Sequence, residues 1–138
     1  MPALSTQATL TFLYFADLAR AADFYERIMG LTLSVDQGYC RIYQITPASY
    51  IGLVDGEHGT HKPSETKPVI VSFVSSEVDA WYAHLLSHQV RILHPLNTHE
   101  RIGIRGFMAL DPEGYTLEFE TFLDQPRNAA IRAVLPAV

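Results

Sequence analysis

Glu118 and Glu120 stand two residues apart in the run 115–122, so a strand there puts both carboxyls on one face. A carboxyl buried on such a face without a cation has its pKa raised, which makes it a hydrogen-bond donor or a general base. On a solvated face the same pair is ordinary surface acid. Arg41 and Arg105 lie in predicted strands, and pairing of either with Glu118 would keep that carboxylate ionised in a structural role. Six histidines are present. His84 and His88 have the i, i+4 spacing of two ligands sharing a metal on a helix, although Trp81, Tyr82 and Leu85 mark that helix's buried side and direct the pair to solvent. His58 and His61 fall in a polar loop, and His94 and His99 flank a loop before residues 103–110. Cys40 has no basic or histidine neighbour in sequence and reads as inert. Gly-x-Ser-x-Gly, a phosphate loop, a dinucleotide fingerprint and Cys-x-x-Cys are all missing from the sequence, so their chemistries lack support.

The chain that must position these groups has 138 residues, 48% hydrophobic and 18% charged, which fits one soluble globular domain and excludes a disordered chain. Ten Lys+Arg against 15 Asp+Glu give a net charge of −5 with no basic stripe, which argues against nucleic acid as a partner. Apolar runs are too short to span a membrane, and the first residues lack the features of an export signal. One cysteine cannot form an internal disulfide, so a cytoplasmic location is expected.

Residues 8–15 are β-branched and aromatic at strand length. Asp17 is a candidate helix N-cap, Leu18, Ala21, Phe24, Tyr25 and Ile28 recur at helical spacing, and Gly30 closes the helix. Strands are predicted at 31–35, half-buried, and at 41–45 and 50–54 around a turn at Pro47. The second half repeats this order. It has a strand at 69–74, a helix capped by Ser75 or Ser76 with Val78, Trp81, Tyr82 and Leu85 on its face, and strands at 90–93, 104–110 and 115–122. Asp111-Pro112-Glu113-Gly114 is the turn before the last strand, with Pro presetting φ and Gly supplying a positive φ.

Each half therefore reads as βαβββ, and the expected fold is α+β: two modules forming curved mixed sheets that enclose a cup-shaped cavity. Residues 1–138 are expected to form a single domain, with modules at about 8–54 and 68–123, a polar linker at 55–67, and a tail at 124–138 whose 129–135 part either forms a short helix docking on a partner or frays.

Three stretches resemble the vicinal oxygen chelate superfamily, the glyoxalase, bleomycin-resistance and ring-cleaving dioxygenase group. They are Phe15-Ala16-Asp17-Leu18 through Phe24-Tyr25 to Gly30-Leu31; Val71-Ser72-Phe73 leading into Glu77-Val78-Asp79-Ala80-Trp81-Tyr82; and Gly106-Phe107 through Asp111-Pro112-Glu113-Gly114-Tyr115 to Leu117-Glu118-Phe119. Together they cover about residues 8–123 and speak for the fold, which hosts many reactions. The resemblance implies one divalent metal held by His, Gln or Glu from the first and last strand of each module. Carried over, those positions fall on Leu10, Gly52, Ile70 and Glu118, of which only Glu118 can coordinate. Neighbours Thr9, Thr11, Val69 and Val71 do not repair the set. One carboxylate does not hold a divalent cation against water, so neither a metal nor another cofactor is expected.

Strand alternation from those positions places Leu10, Phe12 and Tyr14, Ile70 and Ser72, and Thr116, Glu118 and Glu120 toward the cup, which is then mainly apolar and aromatic. Expected ligand contacts are Leu10, Phe12, Tyr14, Gly52, Ile70, Ser72, Arg105, Phe107 and Glu118, with Glu118 as the catalytic candidate. The leading expectation is a metal-free small-molecule binding protein of the bleomycin-resistance type. The alternatives are a lyase, isomerase or dioxygenase relative using Glu118, and a structural partner whose cup is filled by its own side chains. Open sheet edges lead to the expectation of a homodimer.

Overall fold

A computed structural model describes residues 4–137. The chain divides into two compact units, one running to Glu65 and the other beginning at Thr66. The result is an α+β fold of two βαβββ modules, each carrying one four-stranded mixed sheet.

In the first unit, β1 (Thr9–Phe15) pairs in parallel with β4 (Ser49–Asp55), which pairs antiparallel with β3 (Cys40–Thr46), and β3 with β2 (Thr32–Asp36). Between β1 and β2 runs α1 (Leu18–Asp23), whose N-cap Asp17 accepts the Arg20 amide at 3.1 Å. The predicted regular helix is corrected here: α1 passes into a π-helical turn, Phe24–Ile28, with the Met29 amide bonded to the Phe24 carbonyl. The extra residue in that turn brings the adjacent Phe24 and Tyr25 both inward, beside Ala21 and Ala22. Gly30, at φ +71°, ends the helix, and the Leu31 amide returns to the Tyr25 carbonyl. The core of this unit packs the helix against one sheet face, where Leu13, Phe15, Tyr43, Ile51 and Leu53 are buried. Burial and the bond to Glu26 at 3.1 Å push the Tyr43 phenol up to about 12. Strand β2 is exposed along its whole length, where half-burial was expected, because it is the edge of the sheet, paired on one side only.

In the second unit, β5 (Ile70–Val74) pairs in parallel with β8 (Thr116–Phe122), which is antiparallel to β7 (Ile104–Leu110), and β7 to β6 (Ile92–His99). Helix α2 (Val78–Ser87) starts at Glu77, not at a serine; Ser75 instead accepts the Glu77 amide at 3.0 Å in the preceding turn. Its buried Val78 and Leu85 cover a sheet face on which Phe73, Phe119 and Phe107 stack, with centroids 5.1 and 4.9 Å apart. Trp81 adds a tilted contact on Phe119 at 5.1 Å. Each such aromatic pair contributes about 0.5–1.5 kcal/mol beyond area burial. Strand β6 is twice as long as expected and bulged, since its exposed polar residues carry no alternation to read.

The turn into β8 is built on buried Asp111, whose Oδ1 accepts the amides of Glu113 and Tyr115 at 3.0 and 2.9 Å, while Gly114 takes φ +90°. After β8 a 3-10 turn (Pro126–Asn128) and α3 (Ala129–Val134) form the tail. Buried Asn128 donates through Nδ2 to the carbonyls of Gly103 and Leu123 at 2.8 and 2.9 Å. Among the described residues no helix is long and apolar enough to cross a membrane.

Candidate functional site

Each sheet has one face under its helix and one face free of it. On the second sheet, strand register sets Ser72 beside Glu118, Glu118 beside Met108, and Val74 beside Glu120. Residues paired across strands share a face, so Ser72, Glu118 and Glu120 converge on the side away from α2, among Ile70, Val74, Met108 and Leu110. Glu120 is the more deeply placed carboxyl, 9% exposed, and accepts the Ser72 hydroxyl on Oε2 at 2.8 Å. Gly106 lies opposite it, where an added Cβ would press on the Phe119 carbonyl and on Glu120 itself. This is why that stretch of β7 has no side chain.

Burial raises the Glu118 carboxyl to about 7, reinforced by its hydrogen bond with Glu120 and by that neighbour's charge; the Ser72 hydroxyl pulls the other way. A neighbouring carboxylate disfavours a second negative charge, so near pH 7 Glu118 is partly protonated. A carboxyl in that state can donate a hydrogen bond, accept one, or take up a proton.

On the first sheet, the face away from α1 carries Leu10, Phe12 and Tyr14 from β1, Tyr50, Gly52 and Val54 from β4, and Cys40 and Ile42 from β3. Cys40, Ile42 and Val54 form a buried cluster with Tyr14 and Tyr50 packed on it, and burial pushes the Cys40 thiol up, away from the reactive thiolate. Phe12 is 43% exposed, and its ring lies over Gly52. The polar loop returns onto this face: Gly59 abuts Val54 and Tyr14, and the His61 ring sits 5.3 Å from that of Tyr14. Asp55 organises the loop, accepting the Glu57 amide at 3.0 Å and His58 Nδ1 at 3.2 Å, which hold its carboxyl below the usual range. Residues 55–67 had been expected only as a linker, and composition carries no signal for such a return.

Of the expected contact residues, Ser72, Ile70 and Glu118 therefore share one open face, and Leu10, Phe12, Tyr14 and Gly52 share another. Arg105 and Phe107 lie on the α2 side of β7, one residue out of phase with Met108. Phe107 is core, stacked on Phe119 and edge-on to Tyr82. Arg105 binds Asp79 of α2 through Nε and Nη2 at 2.9 and 3.0 Å and Thr98 through Nη1 at 2.9 Å. These bonds hold Asp79 below its usual range, so Arg105 is not the partner of Glu118. Arg41 sits in the first unit, on the same β3 face as Tyr43. Alternation sets Glu120 on the same face as Glu118, but its burial and its bond to Ser72 come only with the fold. The Glu-x-Glu spacing was the available signal.

The four positions where the resemblance implies metal ligands hold Leu10, Gly52, Ile70 and Glu118, and the Phe12 ring takes the space of any side chain at 52. The donors gathered at Glu118 are one further carboxyl and a hydroxyl. Among the described residues, the only three His, Cys, Asp or Glu side chains able to reach one ion together are Asp55, Glu57 and His58 in the exposed loop. The residues present do not fit the family's metal.

The profile of the Glyoxalase/Bleomycin resistance protein/Dioxygenase superfamily matches residues 7–119. Among curated protein sequences none matches. Solved structures do. TioX from Micromonospora sp. ML1 is 20% identical with TM-score 0.71, over 86% of this chain and all of that one. A glyoxalase/bleomycin resistance protein/dioxygenase from Nocardioides is 20% identical with TM-score 0.72, over 90% and 87% of the two chains. Lactoylglutathione lyase from Agrobacterium tumefaciens is 19% identical with TM-score 0.68, over 84% and 94%. At these identities the likeness is one of fold.

Proposed function

The chain belongs to the Glyoxalase/Bleomycin resistance protein/Dioxygenase superfamily, and on that premise we propose that it is a small-molecule binding protein that works without a catalytic metal. Its ligand is an apolar or aromatic compound, anchored at the open face of the second sheet by the Ser72–Glu118–Glu120 group. The observation that carries this reading is the donor set: one carboxylate at four family ligand positions, with the Phe12 ring filling the place of a second. Apolar neighbours around a single protonatable pair suit a ligand recognised by contact area and one or two hydrogen bonds. The test is calorimetric titration of the full chain with planar aromatic compounds, with and without chelator. Binding that survives chelator and weakens in Glu118→Gln is the expected result. A ligand bound only with a stoichiometric divalent ion, lost together with that ion in Glu118→Gln, refutes it.

A second reading rests on the raised Glu118 carboxyl, which is poised as a general base. In that case the chain is a lyase, isomerase or dioxygenase-type enzyme, and turnover of a hemithioacetal, catechol or thiol-transfer substrate disappears in Glu118→Gln. The protein acts as a homodimer in the cytoplasm: the exposed edge strand β2, with Leu33 and Val35, invites a second copy, and one buried cysteine suits a reducing compartment. Light scattering that gives the monomer mass at micromolar concentration overturns the dimer.

A further inference from the structure

On the opposite side of the second sheet, helix α2 carries His84 and His88 one turn apart. Both are exposed, on the flank of the helix that also carries Trp81. Their rings meet with centroids 4.7 Å apart and planes at 63°. Two imidazoles sharing one ion need ligating nitrogens about 3 Å apart, given a metal–nitrogen bond of about 2.0–2.1 Å, a spacing that rings with centroids 4.7 Å apart approach. His88 is also the C-cap, and its amide closes on the His84 carbonyl, so the pair stands at the electronegative end of the helix, where a cation is favoured. Neutral imidazole prefers borderline transition metals to Mg2+ or Ca2+, with Cu2+ highest in the divalent series.

We propose that His84 and His88 form a two-imidazole site for a borderline divalent transition-metal ion at the C-terminal end of α2, distinct from the Glu118 face. Water completes the ion's coordination. The site is independent of the binding function proposed above, and it bears on its test: a metal titration of the chain reads positive at this helix while the family's ligand positions contribute nothing. Trp81, the only tryptophan, lies one turn before the pair, with its ring edge-on to His84 at 5.9 Å, and reports directly on an ion there.

The experiment is a Cu2+ titration of the full chain followed by Trp81 fluorescence, with His84→Ala, His88→Ala, the double variant, and His58→Ala to report on the loop cluster. Cu2+ at one equivalent quenches most of the emission, and chelator restores it. Each single variant raises the midpoint at least about tenfold, an energy of ~1.4 kcal/mol, and the double variant abolishes the stoichiometric phase. His58→Ala leaves the midpoint unchanged, and pulsed electron paramagnetic resonance of the Cu2+ form reports two coordinated imidazoles. An unchanged midpoint in the double variant, a midpoint set by His58, or a single imidazole in the spectrum overturns the proposal. Glu118→Gln leaves the Cu2+ midpoint where it was; a shift there would count against the metal-free reading instead.

Discussion

The ring of Phe12 lies where a side chain at residue 52 would stand: a Cβ on Gly52 would meet Phe12 Cδ1 at 2.5 Å and Cε1 at 2.7 Å. β1 and β4 set the two residues side by side in parallel register, so the clash follows from the backbone pairing. Gly52→Ala therefore drives the Phe12 ring off its rotamer, at a cost of about 0.5–1.5 kcal/mol, read by urea denaturation. In the Phe12→Ala background the same substitution costs almost nothing, as a coupled pair requires. Equal costs in both backgrounds would mean that the ring is not what excludes a side chain at 52.

Glu118 makes stability depend on pH in the less usual direction. Its folded-state pKa of about 7 lies above the ordinary carboxyl value of 4.5, so between those values the folded chain holds a proton that the unfolded chain has released. This contribution to stability is present below about 4.5 and fades as pH rises through about 7. Glu118→Gln removes the cost of ionisation, so it stabilises the protein at pH about 8 relative to pH about 5, by about 1–2 kcal/mol after allowance for solvent screening. Denaturation midpoints that keep the same difference at both pH values would contradict the raised Glu118 pKa.

Ser72 and Glu120 act on that proton with opposite signs. Glu120→Gln removes the neighbouring charge and lowers the Glu118 pKa, whereas Ser72→Ala removes a hydrogen bond that favours the ionised form and raises it. Carbon-13 detection of the Glu118 carboxyl across a pH series measures both. Shifts of the same sign would show that the three groups do not form one network.

Arg105 is tied to α2 and β6, not to the open face. Arg105→Ala therefore leaves the affinity for an aromatic ligand unchanged in the same calorimetric assay in which Glu118→Gln weakens it. A matching loss in Arg105→Ala would return that residue to the ligand face.

The buried anchor of the tail is the Asn128 amide, beside more exposed bonds from Gln125, Arg127 and Arg132 to the carbonyls of Glu100, Arg101 and Phe122. Asn128→Ala leaves the Gly103 and Leu123 carbonyls without their side-chain donor, at a cost of about 1–3 kcal/mol. Hydrogen exchange shows faster opening around Gly103 in this variant, while the β5–β8 pairing keeps its protection.

Local pattern determined much of this protein. Apolar spacing, Asp17 and Gly30 marked the first helix, Asp111 to Gly114 marked the last turn, and the repeat of strand, helix and three strands was readable because each element carries its own period and punctuation. That Leu10, Gly52 and Ile70, where the resemblance implies ligands, offer no ligating side-chain atom was also a matter of residue type alone. What spacing left open was decided by contacts between distant residues. The phase of β7 turned Arg105 and Phe107 under the helix because Phe107 stacks on Phe119, a choice that period-two alternation permits but does not make. The return of the polar loop onto Tyr14 and the π-helical turn that buries Phe24 with Tyr25 likewise depend on what packs opposite them. The carboxyl pair needed most from the fold: Ser72 is 48 residues from Glu120, and only strand pairing brings its hydroxyl to 2.8 Å. A sequence shows which groups can exchange a proton, but their pKa values are set by the burial and neighbours that the paired strands provide.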